Sequence, residues 1–136
     1  MRTSFEMGDF YTEKKIYYHD TDCGGVVYYA NYLKYLEEAR TEYFLSKGVD
    51  LQKLSNRGIW FVVARVEIEY KTASRYQDTL RILTKIEKMK LSAIKFSHQV
   101  LKDDSTVVQA YCTLICVGND YKPVSLPEEV KNIIQK

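Results

Sequence analysis

The sequence predicts an α+β domain in which an antiparallel sheet packs on one long helix. Two observations carry that reading. One run, Asn31 to Lys47, repeats its apolar residues at helical spacing, and the segments after it alternate with period two. The connections between those segments are too short for the crossover helices that parallel strands require.

In chain order, residues 12–20 alternate weakly and can extend, with Lys14, Ile16 and Tyr18 on one face, until Gly24 and Gly25 break the run. Within the helix, Tyr32, Tyr35, Leu36, Ala39 and Tyr43 form one stripe, widened by Leu33 and Phe44. Lys34 and Glu38 are spaced for an ion pair on the wetter side, and Gly48 is a natural stop. No other long helix is legible. "WFVVARVEIEYK" sets Ala64, Val66, Ile68 and Tyr70 against Arg65, Glu67, Glu69 and Lys71. Leu80, Ile82 and Ile86 face inward in "DTLRILTKIEKM", and Ile94, Phe96, His98 and Val100 share a face of "SAIKFSHQVLK". After the turn Lys102-Asp103-Asp104-Ser105, "TVVQAYCTLICV" is apolar on nearly both faces, as a central strand would be. Ser125 and Glu128 have capping-box spacing and Pro127 suits a first helical turn, so a short helix is expected near the end.

The 136 residues fit one domain spanning 1–136, with no repeat, linker or second unit. Hydrophobic residues at 46% and charged residues at 28% are ordinary for a soluble globular chain, and a net charge of +2 is too small to point to nucleic acid. No apolar run reaches transmembrane length and "MRTSFEMGDF" lacks a signal-like apolar stretch, so a cytoplasmic location is expected. Cys112 and Cys116 in one strand would stand roughly 13 Å apart along the backbone, too far for a disulfide, and reduced thiols are expected.

The segment "YYHDTDCGGVVYYANYLKYLEEARTEYF", residues 17–44, places Asp20 and Asp22 before a glycine pair that feeds the long helix. A helix start gathers unpaired backbone N–H groups that can hold a developing negative charge. A carboxylate facing such an end has the makings of a small acyl-transfer site. On spacing alone Asp22 reads as an ordinary turn or cap residue.

The resemblance of "DTDCGGVVYYANYLKYLEEAR" changes that weighting. This stretch resembles the D-x-D-x-x-G-[IV]-V-[YFW]-[YH]-x-N-Y segment of the 4-hydroxybenzoyl-CoA thioesterase superfamily, most closely its YbgC-like acyl-CoA thioesterases. "EIEYKTASRYQDTL" is similar to that family's second-to-third-strand segment. The resemblance implies a hotdog fold, the sheet wrapping the helix, with subunits joined edge to edge as a dimer or tetramer. It implies hydrolysis of acyl-CoA thioesters without metal or cofactor, at a site shared between subunits. The family's catalytic carboxylate falls on Asp22; backbone N–H groups around Tyr29, at the entry to the helix, can polarise the carbonyl, reinforced by the helix dipole. Many YbgC-like members carry His where this chain has Tyr29, which bears on the acyl group more than on the reaction.

Other residues take supporting parts. Asp20 is expected to orient the loop by accepting backbone N–H bonds. Asn31 begins the helix, holds the loop, and is a candidate ligand contact. Lys88, Lys90 and Ser92 of "EKMKLS" sit at a turn where relatives often place residues for the coenzyme A phosphates, though a solvated basic turn reads equally well. Arg65 and Arg75 are weaker candidates. His19 and Cys23 flank Asp22 without being obliged to meet, and His98 reads as a satisfied core or interface histidine. The histidines and cysteines show no metal-ligand spacing, so no metal is expected. A non-catalytic acyl-CoA-binding or interaction module on the same fold is the alternative, and it would not need Asp22. A dehydratase reading is weak because the helix offers no histidine.

Overall fold

The computed structural model describes residues 9–134. Strand β1 (Phe10–Lys15) leads through a loop to the helix α1 (Asn31–Ser46), and the short α2 (Leu51–Asn56) follows. Strands β2 (Trp60–Tyr70), β3 (Thr79–Met89), β4 (Ala93–Lys102) and β5 (Ser105–Val117) come next, and α3 (Glu128–Lys131) ends the described chain with one 3-10 turn. All pairings are antiparallel, in the spatial order β1-β3-β4-β5-β2. The sheet wraps α1, the hotdog arrangement that the resemblance implies. No helix among the described residues is long and apolar enough to cross a membrane.

The helical stripe becomes the core. Tyr32, Tyr35, Leu36, Ala39, Tyr43 and Phe44 are all buried, against Leu80 and Ile82 of β3, Phe96 and Val100 of β4, and Ala110 and Cys112 of β5. Ile94, Phe96, His98 and Val100 share the inner face as alternation requires, each fully buried. Gly48 takes φ +81°, a left-handed conformation that ends α1 without Cβ strain. Strand β5 is interior, between β4 and β2, with β4 at the centre of the sheet.

Several details depart from the sequence expectations. The first strand ends at Lys15, and Tyr18–Asp20 form a 3-10 turn. Ile16 is fully buried, but Tyr18 is 77% exposed and shares no face with it. The Asp20 carboxylate accepts the Tyr17 N–H at 2.8 Å, a local side-chain bond that competes with strand continuation. Leu33 is exposed and does not widen the stripe, whereas Arg40 is buried within it. Glu38 faces Lys14 of β1 at 3.9 Å, and no Lys34–Glu38 ion pair forms among the described residues. In β2 the register shifts between Val63 and Arg65, so Phe61 and Val63 precede the bulge on the inner face and Val66, Ile68 and Tyr70 follow it. Ala64 sits at the bulge rather than in the inward row. Helix α3 forms, but it begins at Glu128 with Pro127 as its cap and no side-chain capping bond, so Ser125 caps nothing. Helix α2 was not legible as a stripe, although Asp50 caps it by accepting the Gln52 N–H at 2.9 Å.

Candidate active site

The loop between β1 and α1 folds on itself. Thr21 bridges Val27, the Asp22 N–H donates to the Val26 carbonyl at 2.9 Å, and the Gly25 N–H returns to the Asp22 carbonyl at 3.0 Å. Gly25 has φ +79°, the left-handed conformation such a tight turn needs. The Asp22 carboxylate is exposed, and its Oδ1 accepts the Gly24 N–H at 2.8 Å. A Cβ on Gly24 would lie 3.1 Å from that same oxygen, so the absence of a side chain there gives the carboxylate its room.

Asp20 lives in the opposite environment. It is 5% exposed, and its carboxylate accepts the Tyr17 N–H and the Tyr35 hydroxyl, each at 2.8 Å. Its backbone carbonyl accepts the Tyr28 N–H at 3.0 Å and the Asn31 side-chain amide at 2.9 Å. Burial alone would raise its pKa. The bonds from Tyr17 and Tyr35, with the charges of Lys14 and His19, outweigh burial and hold it below the usual carboxylate value. Burial and the Asp20 contact push the Tyr35 phenol well above its ordinary value, so it donates and stays neutral. Asp20 orients the loop by accepting backbone bonds, as expected from sequence.

Helix α1 opens with tight i→i−3 bonds: Asn31 N–H to Tyr28 at 2.9 Å, Tyr32 N–H to Tyr29 at 3.4 Å, and Leu33 N–H to Ala30 at 3.2 Å. Its cap, Ala30, has no side-chain bond. Among the described residues no acceptor meets the N–H of Tyr29, which leaves that donor at the positive end of the helix. The Tyr29 carbonyl takes the Tyr70 hydroxyl at 3.3 Å, and the two rings meet edge to face. Asp22, Tyr29 and Asn31 therefore gather at one end of the sheet, beside the C-terminal end of β2.

Lys88, Lys90 and Ser92 lie at the other end. Lys88 and Lys90 line a groove of about 400 Å³ with Ala93, Lys95, Thr113 and Ile115, on the sheet face turned away from α1. Ser92 sits in the turn before β4, where its carbonyl accepts the Cys116 N–H at 2.8 Å. Lys88 lies nine residue steps along β3 from Thr79, roughly 30 Å, so a single chain does not bring these lysines to Asp22. Lys95 is a groove residue that sequence reading passed over; its pairing opposite Lys88 is the signal that only strand register supplies.

The remaining candidates resolve simply. His19 stacks on Tyr17 with ring centroids 6.0 Å apart and does not engage Cys23. Arg65 pairs with Glu67 at 3.2 Å on the surface. His98 is fully buried between Arg40 and Thr84, at 3.2 Å from each. All three cysteines are free thiols, Cys112 and Cys116 buried and Cys23 exposed.

Comparison with known proteins identifies the family and the fold. Residues 17–134 match the model of the thioesterase-like superfamily. The chain is 36% identical over 119 residues to the acyl-CoA thioesterase YbgC of Haemophilus influenzae, covering 86% of this chain and 88% of that one. It is 32% identical over 126 residues to a putative esterase of Aquifex aeolicus, covering 93% and 98%. Among solved structures, a protein of Aquifex aeolicus superposes with a TM-score of 0.88 at 32% identity, over 92% of this chain and 98% of that one. The 4-hydroxybenzoyl-CoA thioesterase of a Pseudomonas species has the same fold, with a TM-score of 0.83 at 23% identity over 90% and 97%. The chain belongs to the thioesterase-like superfamily, the thioester hydrolases built on the hotdog fold.

Proposed function

We propose that this protein hydrolyses acyl-CoA thioesters to the free acid and coenzyme A, with Asp22 as the catalytic carboxylate. The observation that carries the reading is an exposed Asp22, whose carboxylate takes the Gly24 N–H, on the same loop as a Tyr29 N–H that meets no acceptor among the described residues at the start of α1. The acyl-CoA thioesterase name of the Haemophilus influenzae relative supports the choice of substrate.

The chemistry asks little of the protein. A thiol has a reference pKa of about 8.5, so the thiolate leaves readily and needs little general-acid help. The Tyr29 N–H and the helix start stabilise the negative charge that builds on the thioester oxygen. Asp22 either attacks the carbonyl carbon, giving a mixed anhydride that water then opens, or takes a proton from the water that attacks directly. Both routes break the carbon–sulfur bond and release the acid. Asn31 already gives its amide to the Asp20 carbonyl, which favours loop-holding over direct ligand contact.

The assembly follows from the edges of the sheet. Strand β2 is an edge strand of 11 residues, and Val62, Val63 and Val66 along it are exposed. An edge of that length invites pairing with a second copy. Two β2 strands paired antiparallel about a two-fold axis would set the Lys88–Lys90 end of one sheet alongside the Tyr29 end of the other. That is how one active site would draw its carboxylate from one subunit and its phosphate-binding lysines from another. The test of the reaction is thiol release from a panel of acyl-CoAs of different chain length and ring content, followed with a thiol dye. Turnover of at least one member is the expected result; binding without thiol release from any of them would favour the non-catalytic module.

A further inference from the structure

The bonds that converge on Asp20 do more than stabilise a loop. Its carboxylate receives one donor from its own loop, the Tyr17 N–H, and one from the helix, the Tyr35 hydroxyl. Its carbonyl receives the Tyr28 N–H and the Asn31 amide, from the residues on either side of Tyr29 and Ala30. Asp22 follows two positions later. The segment that bears both the carboxylate and the Tyr29 N–H is therefore pinned to α1 at two levels, Asn31 in the first turn and Tyr35 one turn further in.

Of these donors only the Tyr35 hydroxyl is a side-chain group reaching the carboxylate from outside the loop. Tyr35 is 2% exposed, its ring edge meets Tyr32 at 5.8 Å, and the Lys14 ammonium lies 5.1 Å from its centroid. The ring is thus fixed by packing, and the hydroxyl can only sit where it does. Hydrogen bonds to charged groups are among the stronger ones, and here the bond bridges two elements that must hold a small angle and distance between them.

We propose that Tyr35 is a positioning residue for thioester hydrolysis: through Asp20, its hydroxyl sets the Asp22 loop against the start of α1. The proposal rests on the reading of Asp22 and Tyr29 given above. Tyr35 touches neither substrate nor reacting atoms; it holds the geometry in which Asp22 and the Tyr29 N–H can address one carbonyl. Loss of the hydroxyl leaves the ring packing intact and one oxygen of a buried carboxylate short of a donor, so the loop relaxes while the core does not.

The test is Tyr35→Phe, with Tyr43→Phe as control. Tyr43 is a second buried tyrosine of α1, and it packs edge-on against Phe10 and Phe96, away from the loop. With butyryl-CoA, hexanoyl-CoA and benzoyl-CoA as probes, Tyr35→Phe should lower kcat about tenfold and leave KM within about twofold. Amide exchange across residues 20–31 should quicken about tenfold while residues 39–46 keep the parent's rates. Tyr43→Phe should change neither readout, and the double variant Asp20→Asn with Tyr35→Phe should be no slower than Asp20→Asn alone. A Tyr35→Phe protein whose turnover and loop exchange match those of Tyr43→Phe overturns the proposal, and so do additive losses in the double variant. A parent that hydrolyses none of the probes refutes the enzymatic reading instead; exchange across residues 20–31 then still decides whether Tyr35 orders the loop.

Discussion

Asp20 and Asp22 stand two residues apart in opposite environments: Asp20 is buried against Tyr17 and Tyr35, and Asp22 is exposed, with the Gly24 N–H as the one hydrogen-bond donor on its carboxylate among the described residues. The same side chain is a structural tie in one place and an available base in the other. Asp20→Asn should therefore cost stability first, about 1–3 kcal/mol for lost bonds to a buried carboxylate. Turnover should fall about tenfold, as for Tyr35→Phe, and by less than for Asp22→Asn. Melting temperature and kcat measured on the same preparation check this. An unchanged melting temperature would contradict the tie.

His98 provides a pH prediction. The guanidinium of Arg40 can only donate, so Nε2 of His98 accepts from it and the Nδ1–H donates to Thr84. Burial, and then the Arg40 charge, depress the imidazole pKa from 6.5 to about 3; the Cys112 thiol is the other titratable neighbour in this cluster. The unfolded chain takes up a proton near 6.5 and the folded chain does not until about 3. The stability from a neutral His98 is thus fully present above 6.5 and is lost as pH falls toward 3. Denaturant midpoints should decline through that window, and His98→Gln, though less stable at neutral pH, should decline less steeply. Parallel slopes for the two proteins would contradict the assignment.

What the sequence disclosed and what it hid divide along physical lines. The α1 stripe from Tyr32 to Phe44 and the inward row from Ile94 to Val100 were legible because burial imposes a period. The bulge at Ala64 leaves no periodic trace, so the alternation groups Ala64 with Val66, Ile68 and Tyr70, which alone share a face. Arg40 carries no signal of its burial, because a charge is usually solvated and its buried partner, His98, lies 58 residues away in the chain. Helix α2 is too short for a stripe, and only Asp50 and Gly58 marked its ends. At the site, the D-x-D spacing could not separate the two aspartates by itself. The difference is made by the Tyr35 hydroxyl, 15 residues from Asp20, which no local pattern reveals.

The lysines of the sheet groove should act on binding alone. Lys88→Ala with Lys90→Ala should raise KM for acyl-CoA, more so at low salt, and barely affect short acyl thioesters that lack the nucleotide. Steady-state kinetics on both substrate types decide it. Equal effects on the two would assign these lysines to an ordinary solvated surface.

The proposed assembly is testable without substrate. Light scattering at micromolar protein should give a dimer or tetramer, and a charge placed on the β2 edge, Val63→Lys, should shift it toward monomer. The monomeric form should also show a raised KM for acyl-CoA, because the lysines and the carboxylate would no longer share a site. A stable monomer in the parent would contradict both the edge pairing and the shared site.

The account stands or falls on Asp22. Asp22→Asn keeps the side chain's size and the bond from Gly24, and removes the charge that lets it act as nucleophile or base. Measured as kcat for the acyl-CoA that the parent hydrolyses fastest, with melting temperature and acyl-CoA affinity alongside, the variant should lose at least ~10²-fold in turnover. Fold and binding should be retained, since the Tyr29 N–H is untouched. A folded Asp22→Asn protein that hydrolyses at the parent's rate would contradict the mechanism.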